Sequence, residues 1–219
     1  MAKFIPALKD GDFFRSSLKD RIDPAFYCPE YTNLKRFLIE NNAIPLKNLV
    51  EIVSEKSEKL KEKDLMVKYV EINMINPKTN EIESFSEMKS YELPNRASYE
   101  LREGDLITAI AGVSTGTINH ANAYVTKQYD GCICTNGFRI LRPKKQKHLS
   151  LHESLKHISV DIHYLLAYLN SDLYLTQMKY LKTGSAIPAV QTNDLENVLV
   201  LLLEKEKRKK NIEICKRKL

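Results

Sequence analysis

The 219-residue sequence predicts an α+β fold, strands first and helices after. Three observations predict it. Strand-type alternation clusters between Met66 and Leu141. From Ile158 to Leu181 the apolar positions recur instead at helical spacing. The last sixteen residues then become strongly basic, with Ile212, Cys215 and Leu219 forming an i, i+3, i+7 apolar stripe.

Residues 1–20 read as an N-terminal arm with short apolar pairs, Phe4-Ile5 and Phe13-Phe14. Leu34, Phe37, Leu38 and Ile39 mark a helix over 30–41 that ends before Pro45. Leu46 to Val53 suits a short helix or a strand. Ser54 to Asp64 is charge-rich and reads as a solvated loop. Met66–Ile72 alternates as a strand, and Asn76-Pro77-Lys78-Thr79-Asn80 is a turn. Leu93 before Pro94 is extended. Leu106–Ile110 reads as a buried strand after the Gly104-Asp105 turn, and Tyr124–Thr126 and Phe138–Leu141 add two more. The helical stretch breaks at Asn170-Ser171-Asp172, where Ser171 or Asp172 suits an N-cap. It therefore reads as a hairpin, 160–169 and 172–181. Tyr164, Tyr168, Tyr174 and Tyr180 on these helices read as packing residues rather than base-stacking platforms. Val198–Leu201 reads as a buried strand, and residues 204–219 as a basic C-terminal helix.

The composition is that of a soluble globular protein, 43% hydrophobic and 28% charged, with no apolar run long enough to span a bilayer. The N-terminus makes a poor signal peptide, so a cytoplasmic location is expected. Cys28 and Cys215 stand alone, whereas Cys132 and Cys134 share one face of a strand. A single CxC reads as buried reduced thiols rather than as zinc ligands, and no metal site is expected. Residues 204–219 carry eight Lys/Arg against three Glu, which is +5 of the formal +6. The body is therefore close to neutral. Its one basic cluster, Arg142-Pro143-Lys144-Lys145-Gln146-Lys147-His148, fits a solvated loop or a phosphate contact.

Several enzyme classes lack their parts. No glycine-rich phosphate loop occurs, whether ending in Gly-Lys-Ser/Thr or following a strand as GxGxxG. Gly112-Val113-Ser114-Thr115-Gly116 has the GxSxG spacing of a nucleophile elbow, yet Thr117 to Asn122 does not read as the helix an elbow requires. Glu87-Met88-Lys89 has the ExK form of metal-dependent nucleases, but Asn76-Pro77 upstream offers no carboxylate ligand. His152, His157 and His163 do not share a helical face.

Three stretches together resemble a known family. The first is Tyr91-Glu92-Leu93-Pro94-Asn95-Arg96-Ala97, followed by Glu103 to Ile107 and the Gly112 to Thr117 loop. The second is Thr135-Asn136-Gly137-Phe138 through Pro143, and the third is Thr183-Gly184-Ser185-Ala186-Ile187-Pro188 with Asp194-Leu195. In this order they are similar to the target recognition domain of type I restriction–modification specificity subunits, and to related recognition domains of adenine methyltransferases. Arg21-Ile22-Asp23-Pro24 with Tyr27 and Pro29 resembles the start of such a domain. The resemblance spans about residues 20 to 205. It implies a target recognition domain over 21–203, a twisted β-rich region followed by an α-helical hairpin, and then a C-terminal helix over 204–219. There are departures: Leu201 to Glu206 lacks the paired prolines of the family, and one recognition domain stands where a full subunit has two. The chain is then a half-subunit, a fragment or the detached module of a larger methyltransferase.

The resemblance implies a non-catalytic reader of double-stranded DNA that directs an adenine-N6 methyltransferase, and a restriction–translocase subunit, to a target half-site. S-adenosylmethionine would belong to the methyltransferase partner, with no cofactor in this chain. The loop chemistry agrees, since base reading needs short polar side chains and close backbone approach. Ser114, Thr115, Gly116, Thr117, Asn119 and Asn122 form one candidate loop; Lys182, Thr183, Gly184 and Ser185 form a second. Arg96 suits guanine or phosphate, and Lys144, Lys145 and Lys147 suit non-specific phosphate contacts. Turn chemistry alone is the alternative for each loop residue. For the chain as a whole the alternatives are a Mg²⁺-dependent nuclease using Glu87 and Lys89, or a protein–protein adaptor. The apolar stripe of 204–219 predicts packing on a partner helix, in a second copy or a second recognition domain; a basic end contacting DNA is the alternative.

Overall fold

A computed structural model of the chain describes residues 23–144, 160–184 and 186–203. The predicted arm over 1–20, the basic helix over 204–219, and Lys145, Lys147 and Ser185 lie outside the described residues.

Helix α1 (Pro29–Glu40) starts on a proline whose missing N–H costs nothing at the first helical position, with Glu30 in its first turn. The ambiguous 46–53 stretch is both alternatives in turn: one helical turn, α2 (Leu46–Leu49), then strand β2 (Val50–Val53) after the short β1 (Ile44–Pro45). Strands β3 (Met66–Val70), β4 (Ile75–Asn76), β5 (Glu81–Ile82), β6 (Ser86–Lys89), β7 (Ala97–Glu100) and β8 (Leu106–Ala109) follow. Next come β9 (Asn122–Tyr124), β10 (Ile133–Thr135) and β11 (Phe138–Pro143). The chain then enters helices α3 (Ile162–Leu169), α4 (Asp172–Leu181) and α5 (Thr192–Glu196), and closes on β12 (Leu199–Val200).

The strands make two four-stranded sheets, ordered β6-β3-β10-β7 and β2-β11-β8-β9, with two-stranded pairs β1-β12 and β4-β5. All pairings are antiparallel except β3 with β10. Alternation sorts the side chains into layers. In the second sheet Leu106 and Leu141 face the helices, while Ile107, Ala109, Phe138 and Ile140 face the first sheet. Cys132 and Cys134 face that same inter-sheet core, and Ile133 faces away. The shared face expected of the two thiols is therefore observed, and burial pushes the Cys134 thiol well above the usual range.

The hairpin of α3 and α4 covers the outer face of the second sheet. Asp161 caps α3, accepting from the His163 N–H at 2.8 Å, and Ser171 caps α4. Tyr164 and Tyr168 are buried and donate their hydroxyls to the carbonyls of Leu201 and Leu199 at 2.6 and 2.7 Å. Each apolar side chain fully buried here contributes roughly 2 kcal/mol relative to exposure.

Three expectations need correction. The charge-rich 54–64 stretch is not simply solvated. Lys59 donates to the Gly131 carbonyl at 2.7 Å and pairs with Glu100 at 2.9 Å, and Ser57 is buried. The edge strand β9 of the second sheet is Asn122–Tyr124, starting two residues before the predicted Tyr124–Thr126. Gly104-Asp105 is a strand entry, as read, but Asp105 also holds Arg142 through two bonds of 2.9 and 2.8 Å. The first residue of the basic cluster is therefore committed to the fold.

Candidate functional site

The end of β8 is where the loops converge. The Ile110 N–H donates to the Gly137 carbonyl at 2.8 Å, tying in the β10–β11 turn. Val190 donates to the Ile110 carbonyl at 2.8 Å, and Gly112 donates to the Pro188 carbonyl at 2.9 Å. Ala111 thereby bridges Ala189, which also bridges Thr183 and closes the 183–189 turn. Lys182 Nζ reaches the Thr115 carbonyl at 3.0 Å. The two candidate loops are consequently bonded to each other.

Beside them, between 111–121 and the 71–77 and 135–137 segments, opens a cleft of about 660 Å³. Its wall carries Asn73, Arg96, Ser114, Asn119, Asn136 and Ile187. A second depression of about 350 Å³ adjoins it at Pro77 and is lined by Lys78, Asn80, Thr117 and Ile118. Loop 112–119 is the ridge between the two. It exposes Ile118 (88%) and Val113 (80%), and Ile187 (73%) projects from the facing turn.

The ridge stands on a residue the sequence reading passed over. His120 is buried, and its Nδ1 accepts the Gly116 N–H at 2.9 Å. Nε2 must then carry the proton, which it donates to Thr108 Oγ1 at 3.0 Å; that hydroxyl in turn bonds the Tyr174 hydroxyl at 2.8 Å. Burial, aided by Lys182, lowers the His120 pKa from 6.5 to about 4, so the ring is neutral at pH 7. A loop is fastened to the α4 helix and the second sheet by one imidazole.

Several predicted contact residues belong to this fastening instead. Thr115 and Gly116 are buried. Gly116 has φ +73°, and a Cβ there would lie 2.3 Å from the Lys179 nitrogen, so glycine is required by the approach of α4 rather than by a duplex. Asn122 has no exposed surface; its amide donates to the Leu169 carbonyl at 2.8 Å, filling a bond that the C-terminus of α3 lacks. Thr117 is exposed, with its hydroxyl donating to the Ser114 carbonyl at 2.8 Å and accepting from Asn119 at 3.2 Å. Of this loop, Ser114 and Asn119 line the cleft.

Of the second loop, Thr183 is engaged through main-chain bonds of 2.8 Å with Ala189, and Gly184 is exposed at φ +97°. Arg96 sits on the cleft wall with Nη2 donating to Glu71 Oε1 at 2.5 Å. Lys144 does not join this surface. It lies past the far end of β11 from Gly137, roughly 20 Å away at strand rise, with Nζ on the Lys47 carbonyl at 2.5 Å. A single continuous basic face is therefore not formed by the described residues.

Glu87 and Lys89 lie on edge strand β6, Lys89 pairing with Asp64 at 3.5 Å. Among the described residues no three His, Cys, Asp or Glu side chains are grouped to hold a metal. No described helix is long and apolar enough to cross a membrane. His163 packs against the Tyr124 ring at 5.5 Å.

Two packed sheets with an α-hairpin on one face and loops gathered at one sheet edge define the fold as that of a type I restriction–modification specificity-subunit target recognition domain. Solved structures carry this comparison. A chain of a type I R-M system, solved to explain complex assembly and conformational transition, matches with TM-score 0.61 and 25% identity over 78% of this chain and 40% of that one. The HsdS subunit from Thermoanaerobacter tengcongensis matches with TM-score 0.59 and 24% identity, again over 78% and 40%. The chain thus spans about 40% of the length of these structures. No family model and no curated protein matches it.

Proposed function

We propose that this chain is a non-catalytic, sequence-specific DNA-binding module that directs an adenine-N6 methyltransferase of a type I restriction–modification complex to one half-site. The observation that carries the proposal is the bonding of the 112–122 loop, the 136–137 turn and the 183–189 turn at Ile110–Gly112 into one cleft with outward-facing polar side chains. Rigid loops on a stiff scaffold are what direct readout demands, because every flexible side chain ordered on binding subtracts from affinity. The readers are then Ser114 and Asn119, with Arg96 on the same wall bonded to Glu71, and Thr183 and Gly184 on the neighbouring turn. Lys78, on the adjoining depression, and Lys182 are proposed as cations for phosphates. Lys144 would touch a duplex only beyond the cleft. Catalysis and S-adenosylmethionine belong to the methyltransferase partner, and a restriction–translocase subunit is a further partner of the assembled complex. Residues 204–219 are the proposed contact to a second copy or a second recognition domain.

Methylome sequencing of cells with and without the gene tests this directly. One adenine-methylation motif is expected to disappear with the gene. Unchanged methylation, with retained binding of a protein partner, would instead favour the adaptor reading that the near-neutral body and the exposed Val113, Ile118 and Ile187 also suit.

A further inference from the structure

Resting on that DNA-reading proposal, we infer that the cleft selects A·T over G·C base pairs. Its amides read adenine, and Ile187 in the cleft, with Val113 and Ile118 on the ridge beside it, reads the thymine methyl group. Major-groove chemistry assigns a side-chain type to each base. Guanine is read by a two-pronged Arg or Lys donor, and cytosine by a carboxylate that accepts from its amino group. Adenine is read by the donor–acceptor amide of Asn or Gln, and thymine by apolar contact with its methyl.

The cleft holds one cation, Arg96, and one carboxylate, Glu71. They are bonded to each other at 2.5 Å, so the candidate guanine reader and the candidate cytosine reader occupy one another. That leaves Asn73, Asn119 and Asn136, all exposed on the cleft wall. Among the described residues none of the three side-chain amides has a hydrogen-bond partner. Beneath two of them the main chain is bonded: the Asn119 N–H donates to Thr117 Oγ1 at 3.2 Å and the Asn136 N–H to the Arg96 carbonyl at 2.6 Å. The backbones are held and the amides are left open, which is the arrangement a bidentate contact to adenine needs. Val113, Ile118 and Ile187 put branched methyl groups, 73–88% exposed, on the loops either side. Aliphatic side chains that exposed gain nothing from folding, whereas a thymine methyl would cover them.

The test is selection of a randomised 20-base-pair duplex pool by the full-length chain, followed by substitution in the selected duplex. A·T pairs are expected to dominate the enriched positions. Replacing individual thymines there with deoxyuridine removes only the C5 methyl, and retention should fall about fourfold at each contacted position, the equivalent of one lost methyl contact. Asn119→Ala, exposed and outside the core, should relax the adenine preference at one position by about tenfold, within the range for one bidentate contact. The methylated motif in cells supplies a second readout that does not depend on the affinity of the isolated chain. Enrichment of G·C pairs at the contacted positions, or indifference to deoxyuridine, overturns the inference while leaving the DNA-reading function intact. Absence of any retained duplex together with an unchanged methylome overturns both.

Discussion

Loop 112–122 and turn 183–189 have similar compositions, both rich in Gly, Ser, Thr and Ala, and they are bonded side by side at one cleft. They are made rigid by different means. The first is held by side chains: His120 bonds the Gly116 N–H and Thr108, Asn122 bonds the Leu169 carbonyl, and Gly116 lets α4 approach. The second is held by main chain, through the Thr183–Ala189 pair and the bonds to Ile110 and Gly112. The Thr183 hydroxyl adds only a 3.5 Å contact. Side-chain fastening makes a loop sensitive to substitution and to pH, whereas main-chain fastening leaves nearly every side chain free to vary.

The contrast breaks first at the two glycines. Gly116→Ala should cost roughly 4 kcal/mol, combining a left-handed backbone with a clash against helix main chain. Gly184→Ala, with its nearest foreign atom at 3.3 Å, should cost about 1–2 kcal/mol from the backbone alone. Urea unfolding of both variants measures the difference; equal losses would mean that the two loops are fastened alike.

The next effect is pH. The folded pKa of His120 lies below the ordinary value, so the unfolded chain binds more protons between pH 6.5 and about 4. Its stabilising contribution is full above pH 6.5 and is lost as the pH falls toward 4, amounting to roughly 3 kcal/mol. Urea midpoints from pH 7.5 to 4 should show this slope in the natural chain and lose most of it in His120→Gln. Hydrogen exchange should rise in 112–122 before it rises at 183–189.

Asn122→Ala should cost about 2 kcal/mol, because the Leu169 carbonyl loses a buried donor. The smallest stability effect belongs to the cleft-facing residues. Asn119→Ala and Ile187→Ala should change stability by less than about 0.5 kcal/mol, since both side chains are exposed. Their effect is expected on duplex retention instead. A stability loss as large as that of Asn122→Ala would assign these residues to the scaffold.

Much of the scaffold was legible in the sequence because its signals are local. The α1 stripe, the break at Asn170–Asp172 with its Ser171 cap, and the alternation of Cys132 and Cys134 all act within a turn or a strand. The site was legible only in part. Ser, Thr, Gly and Asn in loop 112–122 carry the same signal whether they face a duplex or a helix. Asn122 faces Leu169, 47 residues away, and Gly116 faces Lys179. His120 gave little local hint, because its Nε2 bonds Thr108, which in turn bonds Tyr174, 66 residues further along the chain. A lone histidine between a polar loop and a strand was the one available clue. Lys144 looked like part of the surface because charge clusters in sequence, yet β11 carries it away from the cleft.

The sequence alone determined which segments could be helix, strand or hinge, since caps, glycines and hydrophobic periods operate over a few residues. Only the tertiary structure decided which polar residues were spent on holding the loops and which were left outward. That choice depends on what packs against each loop from across the chain, and burial of a polar group is stable only where a distant partner completes its hydrogen bonds.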